Sequence, residues 1–190
     1  NSPVVRALLD AREEGKQVAV LVELKEEKDS QETRKQVLLA VEICLTTLYV
    51  VAIGCLTNVA SALLIAPEIA ERIVVVWTAG FPSHAPQPNF AFNLEQDMAA
   101  TRVVLDSGVP HVYLPGYHVG AQLRLTYPEV ERYVAGRGAI GTYLHHLYTN
   151  NPLWELFGIY SLYAHSWVIW DMIAIAWLLN PAWVPSDLTP

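Results

Sequence analysis

The chain has 190 residues, 53% of them hydrophobic, and a formal net charge of -7. That length suits one domain, and the apolar share is ample for a core, which excludes a disordered segment. The acidic balance excludes nucleic acid and an anionic membrane surface as partners, because either requires a basic face.

From the N-terminus, Ser2-Pro3 supplies a cap and a first-position proline, Val4, Val5, Leu8 and Leu9 form one stripe, and Gly15 closes the predicted helix. Residues 17–24 read as a buried strand. Residues 26–35, EEKDSQETRK, are a solvated charge run entering a helix, and they mark a seam. Residues 33–44 carry apolar side chains at 37, 38 and 41, continuing to 45, with Glu42 exposed, the pattern of a helix packing back on a sheet.

Residues 48–80 read as a complete β-α-β unit. Residues 48–53 are a β-branched run of the kind buried on both faces of a parallel sheet, and Gly54 ends it. Thr57 or Asn58 is the expected helix cap, residues 59–64 the apolar face, and Pro67 the start of a second helical turn carrying Glu68, Glu71 and Arg72. Residues 73–77 form the next strand. A right-handed crossover sets the two strands side by side, so Ile53-Gly54 and Thr78-Ala79-Gly80 reach the same sheet edge, where open α/β sheets bind ligands. Beyond Gly80, FPSHAPQPNFAFN is a loop on that edge. A helix is predicted over 94–107, with Asp97 near its start and Gly108 as its stop, then a strand over 109–114 ending at Pro115-Gly116. Helices are predicted over 128–135 and 140–148, with a break at Asn150-Asn151-Pro152. The aromatic-rich stretch 154–167 yields no assignment, and 168–179 reads as a buried closing helix ended by Asn180-Pro181.

Cys44 and Cys55 lie in apolar segments without CxxC spacing and read as reduced, buried thiols. With a polar N-terminus unlike a signal peptide, a cytoplasmic location is expected. Residues 44–66 hold no charge and 157–179 hold only Asp171, yet Gly54, Thr57 and Asn58 interrupt the first stretch, Asp171 centres the second, and neither is flanked by Lys/Arg clusters. Membrane spans are therefore not expected.

Three segments in series, AIGCLTNVASALLIAPEIAERI, FNLEQDMAATRVVLDSGVPHVYLP and VIWDMIAIAWLLNP, resemble the nucleoside hydrolases, the inosine-uridine-preferring N-ribohydrolases, over about residues 37–183. The resemblance implies an α/β fold, a mainly parallel sheet flanked by helices. It also implies hydrolysis of the N-glycosidic bond of ribonucleosides, with calcium held against the ribose hydroxyls and water activated by an aspartate. By the same resemblance Asp171 is the late metal aspartate and the carbonyl of Ile53 a backbone metal ligand. Asn93 is the ribose-binding asparagine, and Asn89 or His84 occupies a further ribose or base position. The family's N-terminal DxDxxxDD motif has no counterpart: the first strand is VAVLVEL, with Glu23 its only acid. Ala91 stands where the family has Glu, and Trp170 where it often has His. The calcium site is therefore incomplete, no cofactor is expected, and the catalytic residues stay unassigned. His111, His118, His145 and His146 read as solvated surface residues, and Asp171, among Ile169, Trp170, Met172 and Ile173, as at least partly buried.

Residues 1–25, NSPVVRALLDAREEGKQVAVLVELK, resemble instead a fragment of polyphosphate kinase. That likeness stops at Glu26, where the kinase has an arginine-containing run, so no kinase chemistry carries over. Together the resemblances imply one domain of four parts: a foreign α-β unit (1–25), the charged seam (26–36), the hydrolase-like region (37–183) and a tail (184–190). The foreign unit would stand in for the lost start of a truncated sheet, and the apolar surface left over predicts a homo-oligomer. Three readings stay open: an impaired nucleoside hydrolase, a non-catalytic nucleoside or sugar binding module, and a self-associating remnant without a ligand.

Overall fold

The computed structural model of the chain describes residues 19–22, by backbone alone, and 47–188. The expectations for the first helix, the charged seam, the helix over 33–44, Glu23 and Cys44 lie outside the described residues. Four parallel strands, β1 (Ala19–Val22), β2 (Leu48–Ala52), β3 (Ile73–Thr78) and β4 (His111–Leu114), hydrogen-bond in that order. Ala19 lies opposite Tyr49, Val50 opposite Val75, and Trp77 opposite Tyr113. β2 and β3 are the inner strands, and Val50, Val51, Val75 and Val76 are shut from solvent, so both faces are covered, as a continuous β-branched run requires.

The described residues up to Gly120 and from Asp171 onward form one compact unit, and 121–170 form a second. In the first, α1 (Thr57–Ile65) follows β2 and turns Val59, Ala60, Ala62 and Leu63 into the core. Its start corrects the expected cap. Leu56 holds that position without a side-chain bond, because the Thr57 hydroxyl is drawn to Asp97 and Asn58 is buried, 1% exposed, with no partner for its amide. The single helix expected over 94–107 is two, α2 (Phe92–Glu95) and α3 (Met98–Asp106). They part at Asp97, whose extended backbone ends one helix while its carboxylate Oδ1 accepts from the Ala100 N–H to begin the next, 2.9 Å. α3 packs on α1, and Gly108, at φ 74°, stops it as predicted.

The closing helix expected over 168–179 is shorter. Residues 166–168, the end of the unassigned stretch and the first residue of that helix, are strand, and the closing helix α5 begins later, at Met172–Leu179. It packs on β3, buries Ile173 and Ala174, and sets Trp177 6.2 Å from Tyr49. Among the histidines, His118 and His146 are exposed as expected and His145 is half-buried against Tyr127. His111 is half-buried rather than solvated: it lies against Trp77 and Tyr113, with both ring nitrogens shut from water and unpartnered.

In the second unit, β5 (Arg124–Thr126) and β6 (Ser166–Val168) pair antiparallel, and the Arg124 guanidinium donates to Ser166 Oγ and O. A capping box between Thr126 and Glu129 opens a helical turn at Tyr127–Glu129, which widens into a π turn over Val130–Val134. α4 (Gly138–Thr149) follows. The stretch that resisted assignment supplies aromatic packing: the Trp154 ring lies 5.2 Å from Tyr148 and 4.9 Å from Trp167, and its Nε1 donates to the Tyr148 carbonyl. Gly141 leaves no room for a side chain, since a Cβ there would sit 2.3 Å from the Val134 carbonyl oxygen. Gly141→Ala should lower the unfolding free energy by roughly 2 kcal/mol in urea titrations, and an unchanged midpoint would contradict that packing.

Among the described residues no helix is long and apolar enough to cross a membrane. The described part of the charge-free stretch 44–66 is strand, turn and the nine-residue α1.

Candidate functional site

The carboxyl edge of the sheet collects three turns: Ile53-Gly54 after β2, Ala79-Gly80 after β3 and Pro115-Gly116 after β4. Each leaves backbone groups beyond the ladder that need partners. Trp77 Nε1 donates to the Gly54 carbonyl at 2.8 Å and pins the first turn. Asn93, on α2, spans two strands: its Nδ2 donates to Thr78 O at 2.9 Å and to Ile53 O at 3.3 Å. An amide nitrogen has two protons, and both are engaged here. What Asn93 has left is its Oδ1, a hydrogen-bond acceptor.

Asn89 does a different job. Its Oδ1 accepts from the Phe81 N–H at 2.8 Å, its Nδ2 donates to the Tyr113 hydroxyl at 3.1 Å, and that hydroxyl donates to Phe81 O at 2.7 Å. Gly80 is required beneath this knot: its φ is 55°, and a Cβ would lie 1.8 Å from Asn89 Oδ1. Burial pushes the Tyr113 phenol up, opposed by the Asn89 bond. The Tyr117 N–H donates to Gly80 O at 2.9 Å, and the Phe81 ring rests 4.6 Å from Tyr117 and 5.6 Å from His118.

At the start of α1, Thr57 Oγ1 donates to Asp97 Oδ2 at 2.5 Å. That bond, then the Ala100 N–H, holds the Asp97 carboxyl below the usual carboxylate range. The free thiol of Cys55 is 3.5 Å from Thr57 Oγ1.

Of the residues named from sequence, the structure joins Asn93 to Ile53 and places Asn89 in the neighbouring loop knot. His84 is exposed on that loop and takes part in none of these bonds. Asp171 is half-buried just ahead of α5, its carbonyl accepting from the Ala174 N–H. Thr57, Trp77, Asp97 and Tyr113 belong to the site's framework without having been singled out for it. Thr57 and Asp97 carried a local signal as helix-start residues, but their partnership spans forty positions. Ala91, where the resembling family has Glu, is buried. Calcium takes six to eight oxygen ligands, several of them carboxylate. The described residues contain no cluster of three or more His, Cys, Asp or Glu side chains, and the Ile53 carbonyl already accepts from Asn93. By themselves they do not fit the ion.

Against known proteins, the chain matches the family model described as "Inosine-uridine preferring nucleoside hydrolase" over residues 4–189. The match runs through most of the stretch that resembles polyphosphate kinase. No curated protein matches the chain. Among solved structures, an inosine-guanosine nucleoside hydrolase superposes with a TM-score of 0.64 at 20% identity, over 80% of this chain and 49% of its own. The inosine-uridine preferring nucleoside hydrolase of Bacillus anthracis gives 0.58 at 21%, over 90% and 53%. The purine-preferring ribonucleoside hydrolase of Gardnerella vaginalis gives 0.58 at 22%, over 85% and 50%. These likenesses show the fold, and the chain spans about half the length of the structures it matches.

Proposed function

Because the chain belongs to the inosine-uridine preferring nucleoside hydrolase family, we propose that it recognises ribonucleosides through the ribose and that hydrolysis of the N-glycosidic bond is impaired in it. The observation that carries the reading is Asn93. With both amide protons held by Thr78 O and Ile53 O, its Oδ1 is a fixed acceptor for a sugar hydroxyl at the carboxyl edge of the sheet. Impairment follows from the acids: the sequence carries no DxDxxxDD run, and Ala91 and Trp170 replace two polar residues of the family pattern. Among the described residues no cluster of carboxylates stands ready to hold a metal and activate water near the anomeric carbon. Asp171 and the Ile53 carbonyl are too few oxygens for a tight calcium site.

Titration calorimetry with ribose and inosine tests the binding, and a base-release assay with calcium tests the chemistry. Both ligands should bind, and Asn93→Ala should weaken binding about tenfold, the worth of one good hydrogen bond. Base release should stay well below about 1 per second, the low end of ordinary turnover. Calcium should leave the melting temperature unchanged. Turnover at an ordinary rate, or a calcium-dependent rise in melting temperature, would restore the enzyme reading. Absence of heat with either ligand would remove the binding one.

Self-association is a second proposal, favoured by α4. Ile140, Tyr143, Leu144 and Leu147 fall on one helical face and are all exposed, Ile140 by 75%. Light scattering at micromolar concentration should give a mass well above the 21.1 kDa of one chain, and a monomer would refute it.

A further inference from the structure

We propose that Asp97 is a positioning residue for the sugar site: by accepting the Thr57 hydroxyl it holds Asn93 against the carbonyl of Ile53. The proposal rests on the ribose-binding role given to Asn93. Two short segments, 53–57 and 93–97, are joined at both ends by bonds that each span forty positions, Asn93 to Ile53 at 3.3 Å and Thr57 to Asp97 at 2.5 Å. One hydrogen bond between two segments leaves them free to pivot about it. A second, at the far end, removes the pivot.

The two bonds are unequal. Asn93 to Ile53 is long, between neutral groups; Thr57 to Asp97 ends on a carboxylate, the stronger class. The sturdier bond is therefore the one that does not carry the proposed acceptor. It is also anchored behind: Asp97 Oδ1 takes the Ala100 N–H at the head of α3, Thr101 Oγ1 donates to Asp97 O, and α3 packs on α1, which Thr57 begins. The wiring has a local cost as well. α1 starts without a side-chain cap, although Thr57 stands at its first position, because the hydroxyl is spent across the gap. Asn93 itself sits on a helix of four residues, too short to fix its own direction. The orientation of its amide must come from outside that helix: Thr78 O takes one proton at 2.9 Å, and the rung at Asp97, two residues past the helix end, keeps the other against Ile53 O.

The test needs no ligand for its first arm. In the 15N-labelled protein, the side-chain amide protons of Asn93, assigned by their loss in Asn93→Ala, should exchange slowly with solvent. Thr57→Val should speed that exchange about tenfold or more, because the rung is broken. Thr57→Ser, which restores the hydroxyl, should return it to the parent rate. Asp97→Asn keeps one acceptor oxygen for two donors and should also speed exchange; it serves as the independent variant if Thr57→Val does not fold. The second arm is calorimetry with ribose, where Thr57→Val should weaken binding about fivefold and Thr57→Ser should not. Unchanged Asn93 exchange in a folded Thr57→Val or Asp97→Asn protein overturns the positioning role, whatever ribose does. Slowed exchange that depends on the Thr57 hydroxyl, in a parent protein that binds no ribose, upholds the rung and removes the sugar-binding reading instead.

Discussion

Trp77→Ala is expected to lower the unfolding free energy by about 4 kcal/mol, against a total of about 5–15 kcal/mol for a domain of ordinary stability. Trp77 is the largest fully buried side chain described, 1% exposed on the inner strand β3, with His111 and Tyr113 rings 5.9 and 6.0 Å away. Deleting the indole removes its burial, leaves a cavity the flanking valines cannot close, and strips the Gly54 carbonyl of its donor. Trp77→Phe isolates the last of these: it refills most of the space yet leaves that carbonyl unsatisfied, a loss of about 1–3 kcal/mol. Urea titrations of both variants at pH 7 measure the difference. A loss under about 2 kcal/mol for Trp77→Ala would mean that β3 relaxes into the gap, contrary to the packing between β2 and β4.

The second large effect is a dependence of stability on pH, centred on His111. Burial lowers its pKa from 6.5 to about 4, because an imidazolium between Trp77 and Tyr113 would be desolvated without a partner. The unfolded chain therefore binds the proton more readily than the folded one. The stability linked to His111 is fully present above pH 6.5 and is lost as pH falls from there to about 4. A shift of that size corresponds to about 3 kcal/mol at 1.36 kcal/mol per unit. Asp97, whose carboxyl is held low, contributes in a separate window, with its stability lost only below the ordinary carboxylate value. Unfolding free energies at pH 7, 5.5 and 4 should show the decline, and His111→Phe should remove it while improving stability even at pH 7, since no unpartnered nitrogen remains. A slope that persists in His111→Phe would assign the effect to another group.

His111 also shows where reading a sequence stops. In Val109-Pro110-His111-Val112-Tyr113 nothing local marks the histidine as interior. It is interior because the β4 register sets it opposite Val75, next to Trp77, a pairing across thirty-six positions. The single helix read over 94–107 failed for the same reason: the pattern continues through Asp97, and only Thr57 and the Ala100 N–H explain the break. β6 carries no local signal: Ser166 and Trp167 close an aromatic-rich stretch, Val168 opens a strongly apolar run, and their partner, β5, lies some forty residues earlier.

The sequence by itself determined what depends on neighbours along the chain. It set the β-α-β unit, through β-branched runs punctuated by Gly54 and Pro67, the stop at Gly108, and, through the motif around Phe92-Asn93, the likeness that the family match bears out. The tertiary structure alone decided what each polar side chain is for. Asn93 has its donors consumed by Ile53 and Thr78, Asn89 is tied into the Gly80 loop, and Thr57 gives up its cap to Asp97. A side-chain amide or hydroxyl has several bonds open to it, and which it makes depends on which groups the packed sheet and helices carry within about 3 Å of it.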